Sequence, residues 1–145
     1  MPQQTPLKMR VVCDSQKAKI QTYATALGEA FKCKSDKLPL GYPCEKERLV
    51  IIVATLKGGP SDQLRRLCAD LTPARAHNVA FVIDSSSPKA GLEQIKEILR
   101  EAGTNVIDEP YYVKAGLFSG EKISLDERIK IVKWAEGVAA SLTQQ

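Results

Sequence analysis

Histidine is nearly missing from this chain, His77 being the only one, and the four cysteines, Cys13, Cys33, Cys44 and Cys68, include no C-x-x-C pair. A tetrahedral zinc site would have to gather nitrogen and sulfur ligands from distant positions with no spacing to announce it, so no metal is expected. Long apolar runs are also lacking. None approaches the roughly 18–20 residues that span a bilayer. The segment Met1 to Lys8 is polar, carries two prolines and has no apolar h-region of a secretory signal. The expectation is a cytoplasmic protein with no membrane contact, one domain over residues 1–145 with residues 1–7 as a flexible arm. The G-x-S-x-G elbow and the G-x-x-x-x-G-K-[ST] phosphate loop are both absent, which removes two common routes to hydrolysis.

Charge of one sign is not concentrated either. Twenty-one Lys and Arg face 17 Asp and Glu, for a net +4. The two signs alternate, as in Glu45-Lys46-Glu47-Arg48 and Lys96-Glu97. Nucleic-acid binding calls for a basic stripe with aromatics or a known motif, and none is expected here. What the chain does have is 43% hydrophobic and 26% charged residues in 145 positions, enough for one sizeable core. Cys13 lies in an apolar run and Cys68 on a helical stripe, so both read as buried thiols. Cys33 and Cys44 flank a loop and read as more exposed.

The apolar run Met9-Arg10-Val11-Val12-Cys13 predicts a buried strand ending at Asp14-Ser15. Ile20, Tyr23, Ala24, Leu27 and Phe31 then recur at helical spacing, predicting a helix from about Lys17 to Phe31 with Asp14 or Ser15 as its N-cap. Cys33 to Leu38 fits a short edge strand, followed by a turn-rich stretch with Pro39, Gly41 and Pro43. Leu49 to Ala54 is continuously apolar, as a strand covered on both faces should be. Ser61 is placed to cap a helix bearing Leu64, Leu67, Cys68 and Leu71. Val79 to Ile83 reads as another buried strand. After Pro88 comes a helix with Leu92, Ile95, Ile98, Leu99 and Ala102, stopped by Gly103. Asn105-Val106-Ile107 starts a last strand that resumes at Tyr111-Tyr112-Val113, with Pro110 between suggesting an edge or bulge. Ser124 and Glu127 fit a capping box for a long helix. Its main stripe is Leu125, Ile129, Val132, Ala135, Ala139 and Leu142; Ile131, Trp134 and Val138 form a second.

Strands alternating with helices predict an α/β protein, a three-layer αβα sandwich on a five-stranded parallel sheet in order 2-1-3-4-5. Ligands of such sheets bind beyond the carboxyl ends of the strands, at the switch point between the first and third. Three loops meet there. The first, Asp14 to Lys19, with Ser15, Gln16, Lys17, Ala18 and Lys19, runs into a helix N-terminus that favours an anion. Asp14 acts against an anion there unless it points away or caps the helix. The second, with Thr55, Leu56, Lys57, Gly58 and Gly59, contains glycines that either admit a close ligand or serve a plain turn. The third, with Asp84, Ser85, Ser86 and Ser87, supplies hydroxyls to a ligand or to a helix cap.

Over Met9 to Leu142 the chain resembles the flavodoxin family, on the order and spacing of its elements. Val50-Ile51-Ile52-Val53-Ala54-Thr55 followed by Gly58-Gly59 carries the resemblance, as does Leu92 to Gly103 leading into Asn105-Val106-Ile107. The resemblance implies noncovalent FMN used for electron transfer with a redox partner protein, and an electron carrier or reductase accessory with no catalytic residue of its own. In that family a [S/T]-x-T-G-x-T loop surrounds the phosphate. This chain keeps Ser15 but has Lys17, Ala18 and Ile20 where the family has threonine, glycine and threonine. Leu56 stands where the family places an aromatic against the ring. Typical flavodoxins are acidic; this chain is basic. A flavin-free accessory or interaction protein on the same fold is the alternative. A response-regulator receiver is not expected, because the third strand ends in Val53-Ala54-Thr55 without an aspartate.

Overall fold

The computed structural model describes residues 8–56, 59–115, 120 and 122–143. The expected arm, residues 1–7, lies outside them. Ten elements follow in order: β1 Met9–Asp14, α1 Ala18–Phe31, β2 Lys34–Lys37, β3 Leu49–Ala54, α2 Asp62–Asp70, β4 Asn78–Asp84, α3 Lys89–Ala102, β5 Asn105–Val106, β6 Tyr111–Val113 and α4 Leu125–Thr143. The strands are parallel in the order β2-β1-β3-β4-β5, with β6 also on β4. This is the flavodoxin-like sandwich expected from the alternating pattern.

The fifth strand position is divided. Val79 of β4 aligns with Val106, and Val82 aligns with Tyr111. Three steps along β4 therefore match five along the edge. The extra residues fall at Ile107 to Pro110, where proline has no N–H to give a ladder. Lys96 Nζ and Arg100 Nη2 hold the Asp108 carbonyl and carboxylate across this interruption.

The core lies in two layers because β3 and β4 present side chains to both faces. One layer packs α1 and α4 through Ile20, Tyr23, Leu27, Ile131 and Ala135. The other packs α2 and α3 through Leu64, Cys68, Leu92, Ile95 and Leu99. Gly28 lets α1 approach the edge strand: a Cβ there would sit 2.8 Å from the Ser35 Cβ.

Several local expectations hold. Ser61 accepts from Leu64 N–H at 3.1 Å and caps α2. Ser124 and Glu127 form the reciprocal capping box. Gly103 ends α3 at φ 100°. Two corrections concern helices. The α1 N-cap is Lys17, without a side-chain cap, while Ser15 Oγ accepts from Lys17 N–H and Asp14 turns elsewhere. On α4, Leu125 is 74% exposed and Ile129 50% exposed, whereas Ile131, Ala135 and Leu142 are buried. An apolar pattern on two stripes does not specify which one meets the sheet; packing beside α1 decides it. A third correction is Cys44, which is buried like Cys13 and Cys68, while Cys33 is half-buried. Cys44 belongs to the layer of α2 and α3, and Cys33 packs against the opposite layer. The two thiols that flank the loop thus lie on different sides of the sheet. Desolvation raises both, and it pushes Cys13 up to about 11 and Cys68 up to about 12.

Among the described residues no helix is long and apolar enough to cross a membrane, and no cluster of His, Cys, Asp and Glu could hold a metal ion.

Candidate functional site at the carboxyl ends of the strands

The three predicted loops do converge. The sheet places the ends of β1, β3 and β4 side by side, so the residues that follow them meet. At the centre is Asp84, the last residue of β4 and only 1% exposed. Lys17 crosses from the start of α1 and donates its ammonium to Asp84 Oδ2 at 2.5 Å. The same ammonium reaches Ser86 Oγ at 3.2 Å and the Ala115 carbonyl at 3.4 Å. Thr55 donates to Asp84 Oδ2 at 3.0 Å and shares a 2.8 Å hydrogen bond with Ser15 Oγ. Ser86 N–H donates to Asp84 Oδ1 at 3.1 Å.

Burial alone would raise the Asp84 carboxyl, since desolvation penalises its charge. The Lys17 ammonium, the Ser86 N–H and the Thr55 hydroxyl outweigh that effect and hold it below the usual carboxylate range. The result is an ionised, fully partnered carboxylate that ties together the first, second and third loops.

A cleft of about 440 Å³ opens beside this cluster. It is lined by Ser15, Gln16, Lys17, Thr55 and Gly59, together with Asp14 and Ser61. Ser61 donates to Asp14 Oδ2 at 2.8 Å while capping α2. Asp14 opens the first predicted loop, whereas Ser61 lies outside all three. Ser61 carried a signal as a cap, but nothing in the sequence linked it to Asp14. Gly59 has φ 98°, the left-handed region that favours glycine, so the turn itself requires this residue.

Other predicted residues are placed differently. Ala18 is exposed as the first residue of α1. Lys19 turns to α4 and pairs with Glu127 at 3.0 Å, next to the Tyr23 hydroxyl on the same carboxylate. Those contacts and the capping N–H of Ser124 hold Glu127 down to about 2, the Ser124 N–H contributing most. Leu56 is fully buried among the α2–α3 layer, and its N–H donates to Ser87 Oγ at 2.8 Å. Ser85 is exposed, its N–H given to the Val113 carbonyl. Lys57 and Gly58 lie outside the described residues.

Tested against FMN, this residue set fits in space but not in charge. The cleft is of ligand size, and α1 offers an uncapped N-terminus without an acid in its first turn. Yet both lysines of the first loop are bound to a carboxylate, Lys17 to Asp84 and Lys19 to Glu127. No aromatic side chain lines the cleft among the described residues. Tyr111 packs on Trp134 with ring centroids 5.5 Å apart, and Tyr42 lies under Lys34.

The doubly wound sheet and its switch-point cleft define the class of protein: a flavodoxin-like α/β sandwich. Compared with known proteins, the chain matches no family model, and no curated protein is significantly similar to it.

Proposed function

We propose that this chain is a flavin-free accessory protein of the cytoplasm, built on a divergent flavodoxin fold and docking to a redox enzyme. The observation that carries this reading is the Lys17–Asp84 pair. A phosphate dianion would have to compete with a buried carboxylate 2.5 Å from the only first-loop cation at the cleft. Removing Lys17 from Asp84 would strand that carboxylate in a site where desolvation opposes its charge. The partner that suits this protein is acidic. The chain is net +4, and exposed lysines stand at Lys89, the first residue of α3 after the β4 loop, and at Lys114, directly after β6. Charge of this kind steers association rather than fixing affinity.

A second reading, FMN-dependent electron transfer, is favoured by the cleft of about 440 Å³ beside the uncapped end of α1. In that case the backbone N–H groups that open α1 would take the phosphate and Thr55 to Gly59 would border the ring, while the flavin itself would supply the redox chemistry.

A visible absorption spectrum of the purified protein, followed by FMN titration with fluorescence detection, separates the two. The expected result is a colourless protein with no saturable quenching up to high micromolar FMN. A yellow protein, or tight saturable quenching, would reject the flavin-free reading in favour of the second.

A further inference from the structure

We infer a binding site for a free monocarboxylate with an apolar body, such as a medium-chain fatty acid, in the cavity between α2 and the segment that joins β2 to β3. The cavity measures about 330 Å³, the size of a small-ligand pocket rather than of a peptide groove. It shares no lining residue with the cleft at the carboxyl ends of the strands.

The walls are largely apolar. Leu38 and Leu40 come from the joining segment, Leu67 from α2 and Leu71 from its C-cap. Leu38, Leu40 and Leu67 are half-buried and pack on the α2–α3 layer of the core. Each therefore keeps apolar surface in contact with water that a ligand can reach and cover. Leu71 and Cys44 are buried beneath them. Desolvation raises the Cys44 thiol, so no thiolate charge stands in the cavity.

Two arginines supply the charge. Arg66 is exposed on α2, and Arg75 is half-buried in the loop before β4. Arg10, Arg100 and Arg128 each pair with a carboxylate. Among the described residues neither Arg66 nor Arg75 does. Arg75 Nη1 donates to the Cys44 carbonyl at 3.5 Å, and the Arg66 guanidinium has no protein partner among the described residues. Asp70 also lines the cavity, one turn along α2 from Arg66, yet pairs with neither arginine. Two guanidinium groups against one carboxylate leave the cavity net positive. A ligand carboxylate suits the planar guanidinium fork, and its hydrocarbon chain suits the leucines. An uncharged chain would forgo the arginines, and an amine would meet charge of its own sign.

The test is two-dimensional amide NMR of the full chain with three probes at low millimolar concentration: octanoate, 1-octanol and octylamine. Octanoate should shift the amides of Leu40, Leu67 and Leu71 saturably and leave those of Lys17 and Thr55, in the other cleft, in place. The alcohol and the amine should each bind about tenfold more weakly. Arg66→Gln, an exposed change on α2, should stay folded, bind octanoate about tenfold more weakly and bind 1-octanol as the parent does. No saturable shift with octanoate at the three leucines would overturn the site. Equal binding by the alcohol or the amine would overturn its preference for a carboxylate. An unchanged octanoate affinity in Arg66→Gln, or an equal loss for 1-octanol, would overturn the assigned carboxylate contact.

Discussion

Asp84 and Glu47 are carboxylates buried at opposite ends of the same sheet, and their surroundings differ. Asp84, at the carboxyl end of β4, receives the Lys17 ammonium, the Thr55 hydroxyl and the Ser86 N–H. Glu47, just before β3, has one oxygen 3.8 Å from Lys8 and the other without a partner. Ion pairing differs likewise. Lys17 is one-third exposed while its partner is buried, whereas Arg10 is buried while its partner Asp36 is 41% exposed. The carboxyl end of the sheet is therefore the electrostatically closed one. The opposite end keeps unmet polar capacity.

The sharpest way to break this comparison is to remove the cation at each end. Lys17→Met leaves the buried Asp84 charge uncompensated and should destabilise the fold by about 3 kcal/mol in denaturant unfolding. Adding Asp84→Leu to Lys17→Met should recover much of that loss, because the uncompensated charge is then gone. A loss in Lys17→Met as small as that of an ordinary surface change would mean that the pair is not closed to solvent as described.

Arg10→Met should cost less, about 1 kcal/mol, since its partner Asp36 can turn to water and the unpaired Nε disappears with the side chain. If Arg10→Met proved as damaging as Lys17→Met, the contrast between the two ends would fail.

The smallest effect is in pH dependence. Asp84 is held below its ordinary value in the folded protein. Its contribution to stability is present above the unfolded carboxylate value, about 3.9, and is lost as pH falls through the folded value. In Lys17→Met, desolvation, the largest effect on Asp84, is expected to outweigh the remaining Ser86 and Thr55 hydrogen bonds and to raise the folded value above the unfolded one. The folded state then binds the proton more readily than the unfolded state, so this contribution to stability grows as pH falls from 7 toward 5. Unfolding curves should therefore show a smaller deficit of Lys17→Met against the parent at pH 5 than at pH 7, because the parent's Asp84 contribution stays nearly constant over that range.

Much of the fold was legible because its cues are local or periodic. The continuous apolar runs at Leu49 to Ala54 and Val79 to Ile83 became the central strands. The capping signals at Ser61 and Ser124 became caps. Asp14 or Ser15 as the cap of α1 failed because side chains that could cap were taken by Ser61 and Thr55 from other loops. The α4 stripe held at Ala135 and Leu142, which are buried, but not at Leu125 and Ile129, which have the right spacing and are exposed.

The sequence by itself determined the order of elements, the parallel sheet and the three loops that meet at its carboxyl end. Those follow from hydrophobic periodicity and from the few topologies that alternating strands and helices allow. Only the tertiary structure decided that Lys17 spends its charge on Asp84, that Lys19 serves Glu127, and that Arg10 and Glu47 share one cavity. Those partners lie 67, 108 and 37 positions apart along the chain. Charge pairing depends on distance in space, and no spacing rule carries it across such separations.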